Sequence, residues 1–105
     1  MAGNINGSLD QPFDVAVDYL NTLYIADYNN NRVQKYLMDG SFTTVAGDAN
    51  GIAGNSSSQL NQTSRVIVDS NGGIFIADAG KNRVQFWSNG ASVGTTVAGF
   101  GKNEK

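Results

Sequence analysis

The sequence contains neither cysteine nor histidine. Without cysteine, no disulfide framework and no thiolate metal site can form. Without histidine, the commonest general base and the commonest zinc ligand are both missing. Proline occurs once among 105 residues, against 13 glycines, a pairing that suits tight β-turns rather than a disordered linker. Basic residues are few. Arg32, Lys35, Arg65, Lys81 and Arg83 are scattered, and the remaining two lie at the C-terminal end beside Glu104. With a formal charge of −2 and a pI near 4.7 there is no basic stripe, so nucleic acid is not an expected partner. No segment approaches the ~20 apolar residues that cross a bilayer, and no membrane partner is expected. The first seven residues have neither a charged n-region nor an apolar h-region, so they do not read as a signal peptide. The compartment is left open.

What the sequence does contain is a near-duplication. LDQPFDVAVD at residues 9–18 returns as LNQTSRVIVD at 60–69, and LYIAD at 23–27 as IFIAD at 74–78. NRVQ at 31–34 recurs unchanged at 82–85, and TTVAG at 43–47 recurs unchanged at 95–99. The offset is about 51 residues, with a one-residue adjustment after Tyr36 and Trp87. A period of about 40–50 residues filled with short strands is the signature of propeller blades.

Within each copy the pattern predicts four strands. Residues 13–18 alternate, with Phe13, Val15 and Val17 on one face, and period two is a strand. Residues 23–26 and 32–36 are the second and third strands, and residues 42–45 a shorter fourth. Between the second and third lies the polar run of residues 27–31, rich in asparagine, which tolerates a left-handed backbone. Asp39-Gly40 signals a hairpin turn. The cycle restarts near Val66, with turns at 70–73, 79–82 and 89–90. A Gly- and Ser-rich connection, residues 48–59, joins the copies, and no helix signal of useful length is present. The expected fold is all-β, with two four-stranded antiparallel propeller blades at residues 1–50 and 51–105.

The linked segments Pro–x–(Gly/Asp)–Val–Ala–Val–Asp, Leu–Tyr–Ile–Ala–Asp and Asn–Arg–Val–Gln resemble the NHL repeat, twice over and across almost the whole chain. The second copy departs from the pattern at Thr63-Ser64-Arg65, where the first has Pro12-Phe13-Asp14. The resemblance implies a propeller, usually of six blades. It also brings two enzyme-like or nucleic-acid-binding alternatives, an NHL-type lyase or hydrolase and an RNA-binding NHL domain. Some NHL-like lyases hold zinc with histidines, which this chain does not have. RNA binding needs a basic face, which it also does not have.

Asp27 and Asp78, with Arg32 and Arg83, invite a reading as catalytic acid and cation, but residues repeated in every blade ordinarily do blade work. Each pair flanks a four-residue loop across which carboxylate and guanidinium can meet. Asp18 and Asp69 close the first strand of each copy, where a carboxylate can accept N–H bonds from the following turn. These six are read as structural. No catalytic residue, metal ligand or cofactor is expected: the loops lack an EF-hand run and the chain has one glutamate, Glu104. The aromatics on strands are expected to pack between blades. The most ligand-like surface is Tyr28, Asn29 and Asn30, with Lys81 in the second copy, and Asp14 and Arg65 where the copies differ in charge. A protein or carbohydrate would suit its ring and amide groups. Asn6, Asn55 and Asn61 open glycosylation sequons by pattern, left without weight because these loops are rich in Asn and Ser.

Two blades do not make a propeller. A blade packs between two neighbours, so a two-blade chain keeps one outer face on each blade, complementary because the repeats are alike. Such a head-to-tail contact closes a ring or runs on as a filament. Propellers close at about four to eight blades, which allows two, three or four chains. The six-blade habit implied by the resemblance favours a homotrimer. The sequence suits a piece of a longer parent or a deliberately built two-blade unit, and its expected partner is a further copy of itself.

Overall fold

The computed structural model describes residues 9–54 and 58–99. Their elements run β1 (Pro12–Val17), β2 (Leu23–Asp27), the 3₁₀ turn η1 (Tyr28–Asn30), β3 (Arg32–Tyr36) and β4 (Phe42–Gly47). The second set is β5 (Thr63–Val68), β6 (Ile74–Asp78), η2 (Ala79–Lys81), β7 (Arg83–Trp87) and β8 (Thr95–Ala98). They form two antiparallel sheets, ordered β1-β2-β3-β4 and β5-β6-β7-β8. The chain is all-β, in two four-stranded blades.

The strands differ from the periodicity in ways that have local causes. β1 begins at Pro12 and stops before Asp18, because the Asp18 carboxylate turns to the next loop: its Oδ1 accepts the N–H of Leu20 at 2.9 Å and of Thr22 at 3.0 Å. Asp69 does the same in the second blade, toward Asn71 at 2.9 Å and Gly73 at 2.8 Å. β5 begins at Thr63 rather than near Val66. β1 and β5 each carry an irregularity at their start, between Pro12 and Asp14 and between Thr63 and Arg65, which takes Phe13 and Ser64 out of strict alternation. β4 runs on to Gly47, two residues past Val45. Gly47 has φ +86°, and a Cβ there would stand 2.5 Å from the Asn31 carbonyl oxygen; Gly99 repeats both features. That close approach explains why TTVAG ends in glycine in both copies.

Register assigns the faces. Val15, Val17, Leu23 and Ile25 share one face of blade 1, and Ala16, Tyr24, Ala26 and Val33 share the other. In blade 2 the first of these faces carries Val66, Val68, Ile74, Ile76 and Trp87. One hydrophobic core runs between the blades: Tyr24, Ala26, Val33 and Ala46 meet Leu60, Val66, Ile74, Ile76 and Trp87. Ala26, Val33 and Ala46 on blade 1 are small, and with Tyr24 they share this core with the larger Leu60, Ile74, Ile76 and Trp87 of blade 2. Each Val, Leu or Ile side chain so buried contributes roughly 1.5–3 kcal/mol.

The expectation that strand aromatics pack between blades holds for Tyr24 and Trp87. Phe13, Phe42 and Phe75 are exposed. Phe13 lies against Tyr28 at 4.9 Å, Tyr36 against Phe42 at 5.6 Å and Phe75 against Phe86 at 4.7 Å between ring centroids. These rings pair within their own blade.

Candidate functional site

The repeated acid–base pairs are buried latches. Asp27 sits at the end of β2 and Arg32 at the start of β3, on either side of η1, and Arg32 Nε donates to Asp27 Oδ2 at 2.9 Å with both side chains fully enclosed. The same oxygen accepts Asn30 Nδ2 at 3.0 Å, while Oδ1 accepts the Asp10 N–H at 2.7 Å. Arg32 Nη1 donates to the Ala49 carbonyl at 2.7 Å. One ion pair thus ties together the segment leading into β1, the 3₁₀ turn and the connection leaving β4. Blade 2 repeats the pattern: Arg83 Nε to Asp78 Oδ2 at 2.6 Å, Asn61 N–H to Asp78 Oδ1 at 2.6 Å, and Arg83 Nη2 to the Gln59 carbonyl at 2.9 Å. These bonds occupy both carboxylate oxygens in each blade, and neither carboxylate reaches solvent.

Polar bonds also cross the blade junction. Asn31, left-handed at φ 56°, donates from Nδ2 to the Gly51 carbonyl at 3.0 Å and accepts the Gln62 N–H on Oδ1 at 2.8 Å. Asp14 Oδ2 accepts the Val66 N–H at 3.0 Å. Sequence reasoning assigned asparagine at this position only a backbone role. The available signal was its unchanged recurrence as Asn82.

At one end of the junction the turns enclose a cleft of about 260 Å³, lined by Asp18, Thr22, Tyr24 and Lys35 from blade 1 and Asp69 and Asn71 from blade 2. Desolvation raises the Asp18 pKa, yet the N–H bonds from Thr22 and Leu20, the Tyr24 hydroxyl at 3.2 Å and the Lys35 charge together hold it below its ordinary 3.8. Burial, with the hydrogen bond and charge of Asp18, raises Tyr24 above its ordinary 10.0. Blade 2 has Phe75 and Phe86 where blade 1 has Tyr24 and Lys35, so this polar arrangement is not repeated.

The loop residues singled out in the sequence are not drawn into one pocket. Asn29 is exposed and donates to Asp10 Oδ1 at 3.2 Å; Asn30 is buried in the Asp27 latch; Tyr28 leans on Phe13. Lys81 closes η2 in the other blade and Arg65 is exposed on β5. Asp14 bridges the blades through Val66. Of the sequons, Asn6 and Asn55 lie outside the described residues, and the one at Asn61 ends in Thr63, which is buried.

Two shallow grooves mark the outer faces. One, of about 360 Å³, is lined by Leu9, Pro12, Phe13, Val15 and Ile25 on blade 1. The other, of about 340 Å³, is lined by Ala77, Asn82, Val84 and Ala98 on blade 2.

The family model for the NHL repeat matches residues 9–36, which span β1, η1 and the latch through β3. Over those residues the chain is similar to an NHL repeat. No curated protein matches the chain. Among solved structures, the chain is similar to virginiamycin B lyase from Staphylococcus aureus, with a TM-score of 0.62 and 11% identity over 83% of this chain and 26% of that one. It is also similar to a protein of unknown function from Bacteroides thetaiotaomicron, with a TM-score of 0.70 and 22% identity over 93% of this chain and 26% of that one. At these identities the likeness is one of fold, that of propeller blades. The chain spans about a quarter of the length of either.

Proposed function

We propose that this chain is a non-enzymatic propeller-forming module: its two open faces dock on further copies, three chains closing a six-bladed ring that presents loops and channel to a protein or carbohydrate partner. One comparison carries the reading. Val15 and Val66 occupy the same repeat position, yet Val15 is 55% exposed and Val66 is 3% exposed. The same holds across both faces. Val17, Leu23 and Tyr36 lie on the open face equivalent to the one that Val68, Ile74 and Trp87 bury. On the opposite side, Ile67, Phe75 and Ala98 are exposed where their equivalents Ala16, Tyr24 and Ala46 line the core.

The outer faces are also more apolar than the internal pair. Ile67 stands for Ala16, Phe75 for Tyr24, Phe86 for Lys35, and Phe13 for Ser64. Closing one such junction would bury on the order of 1,000 Å², the scale of a stable interface. At about 25 cal/mol per Å² the gross gain is tens of kcal/mol before entropic costs. The reading as a non-enzyme is supported by the absence of histidine and cysteine and by the occupied oxygens of Asp27 and Asp78.

Light scattering on a sizing column across a range of concentrations tests this. A mass of three chains supports the ring. A mass of one chain at every concentration overturns self-assembly and points to other blades of a longer chain as the cover for these faces.

A further inference from the structure

At the internal junction, the segment before β5 acts as a hook. Leu60 is fully buried in the same cluster as Ala26, Val33 and Ala46 of blade 1. Two residues later, Gln62 turns left-handed, at φ 60°, and gives its N–H to Asn31 Oδ1 at 2.8 Å. An apolar plug and a polar clasp thus hold the front of blade 2 to the loop end of blade 1.

Among the described residues, both halves of this device are present at the outer ends with no counterpart facing them. Leu9 and Gln11 precede β1 as Leu60 and Gln62 precede β5, and Gln11 has the same left-handed backbone, φ 62°. On blade 2, Ala77, Val84 and Ala98 stand at the positions of Ala26, Val33 and Ala46, and here they line an open groove of about 340 Å³. Asn82 borders that groove, exposed, with the backbone of Asn31, φ 55° against 56°. Among the described residues its carboxamide has no hydrogen-bond partner.

We infer that the occupant of the blade 2 groove is the lead segment of a second copy: Leu9 seats between Ala77, Val84 and Ala98, and Asn82 Oδ1 accepts the Gln11 N–H. The inference rests on the self-assembly proposed above and names the residues that hold the junction. The internal junction is its template, since both partner sets are the same residue types at equivalent positions. Asp14 has no counterpart in this contact. Arg65 occupies its position and cannot accept the N–H that Asp14 takes from Val66, so the junction between copies relies more on the plug and the Asn82 clasp.

The experiment measures the association of the full chain by sedimentation equilibrium for wild type, Asn82→Gly, Asn82→Asp and Leu9→Ala. Glycine keeps the left-handed backbone and removes only the carboxamide; aspartate keeps the acceptor oxygen. Denaturation at a dilution where wild type is monomeric is run in parallel. The expected result is a dissociation constant raised about tenfold per junction by Asn82→Gly and about a hundredfold by Leu9→Ala. Asn82→Asp stays within about twofold of wild type. The monomer's denaturation midpoint is unchanged in Asn82→Gly. If wild type associates and both Asn82→Gly and Leu9→Ala associate equally well, the hook is overturned and self-assembly stands. If wild type does not associate at any concentration, the self-assembly reading fails and the hook with it.

Discussion

Arg32 Nε lies 2.9 Å from Asp27 Oδ2, and neither side chain reaches solvent. An enclosed ion pair gains little net stability over a well-packed apolar pair, but removing one partner strands the other charge. Asp27→Ala is therefore expected to cost about 3–5 kcal/mol, a large share of a small domain's stability, and to release the segment at Asp10 with it. Urea denaturation followed by circular dichroism checks this. A loss under about 1 kcal/mol would mean that the latch is not what holds these three segments.

Val15 and Val66 make a matched pair for separating core from surface. Val66→Asp places a carboxylate in the core between blades, and unfolding is expected at ordinary temperature. Val15→Asp puts the same group on the open face, where the monomer should keep its denaturation midpoint within about 0.5 kcal/mol and lose association. Equal damage from the two variants would contradict the assignment of these faces.

Gly94 has no room for a side chain. A Cβ built there would stand 2.4 Å from the Trp87 ring, the single indole of the chain. Gly94→Ala should push the indole out of its place in the core at a cost of about 1–3 kcal/mol. The expected signature is a red-shifted tryptophan emission under native conditions and a lower denaturation midpoint. Unchanged emission would show that β7 and β8 separate without disturbing the indole.

Asp18 and Asp39 both titrate below the ordinary aspartate value of 3.8, held there by hydrogen bonds made in the folded chain. A carboxyl depressed by folding stabilises the fold above its unfolded pKa, and that contribution fades as pH falls through the folded value. Stability should therefore decline below about pH 3.8, and Asp18→Asn with Asp39→Asn should flatten that decline. Tyr24 has the opposite sign: its raised pKa favours the fold below pH 10.0, a contribution lost as pH rises through the folded value. Denaturation midpoints across both ranges, with Tyr24→Phe as the alkaline control, check the two arms.

Several elements were readable from residue order alone. Alternation in DVAV and in VIV located β1 and β5, the Asp-Gly pair marked a turn, and the unchanged NRVQ marked β3 and β7. Strand limits were less readable, since Pro12 and Thr63 open their strands through irregular pairing that alternation does not encode. The Asn31 clasp was invisible because its partners, Gly51 and Gln62, lie 20 and 31 residues away. Asn30 looked like a loop residue offered to a ligand, and its place inside the Asp27 latch follows from the tight winding of η1.

The repeated residues by themselves determined two blades, their order and the two sides of each sheet, because period-two alternation and turn chemistry act locally. They could not determine which of two equivalent residues is buried. Val15 and Val66 share a residue type and a strand position, and only the presence of a neighbouring sheet over Val66 separates them. Burial is a property of what packs against a face, and that was decided in three dimensions.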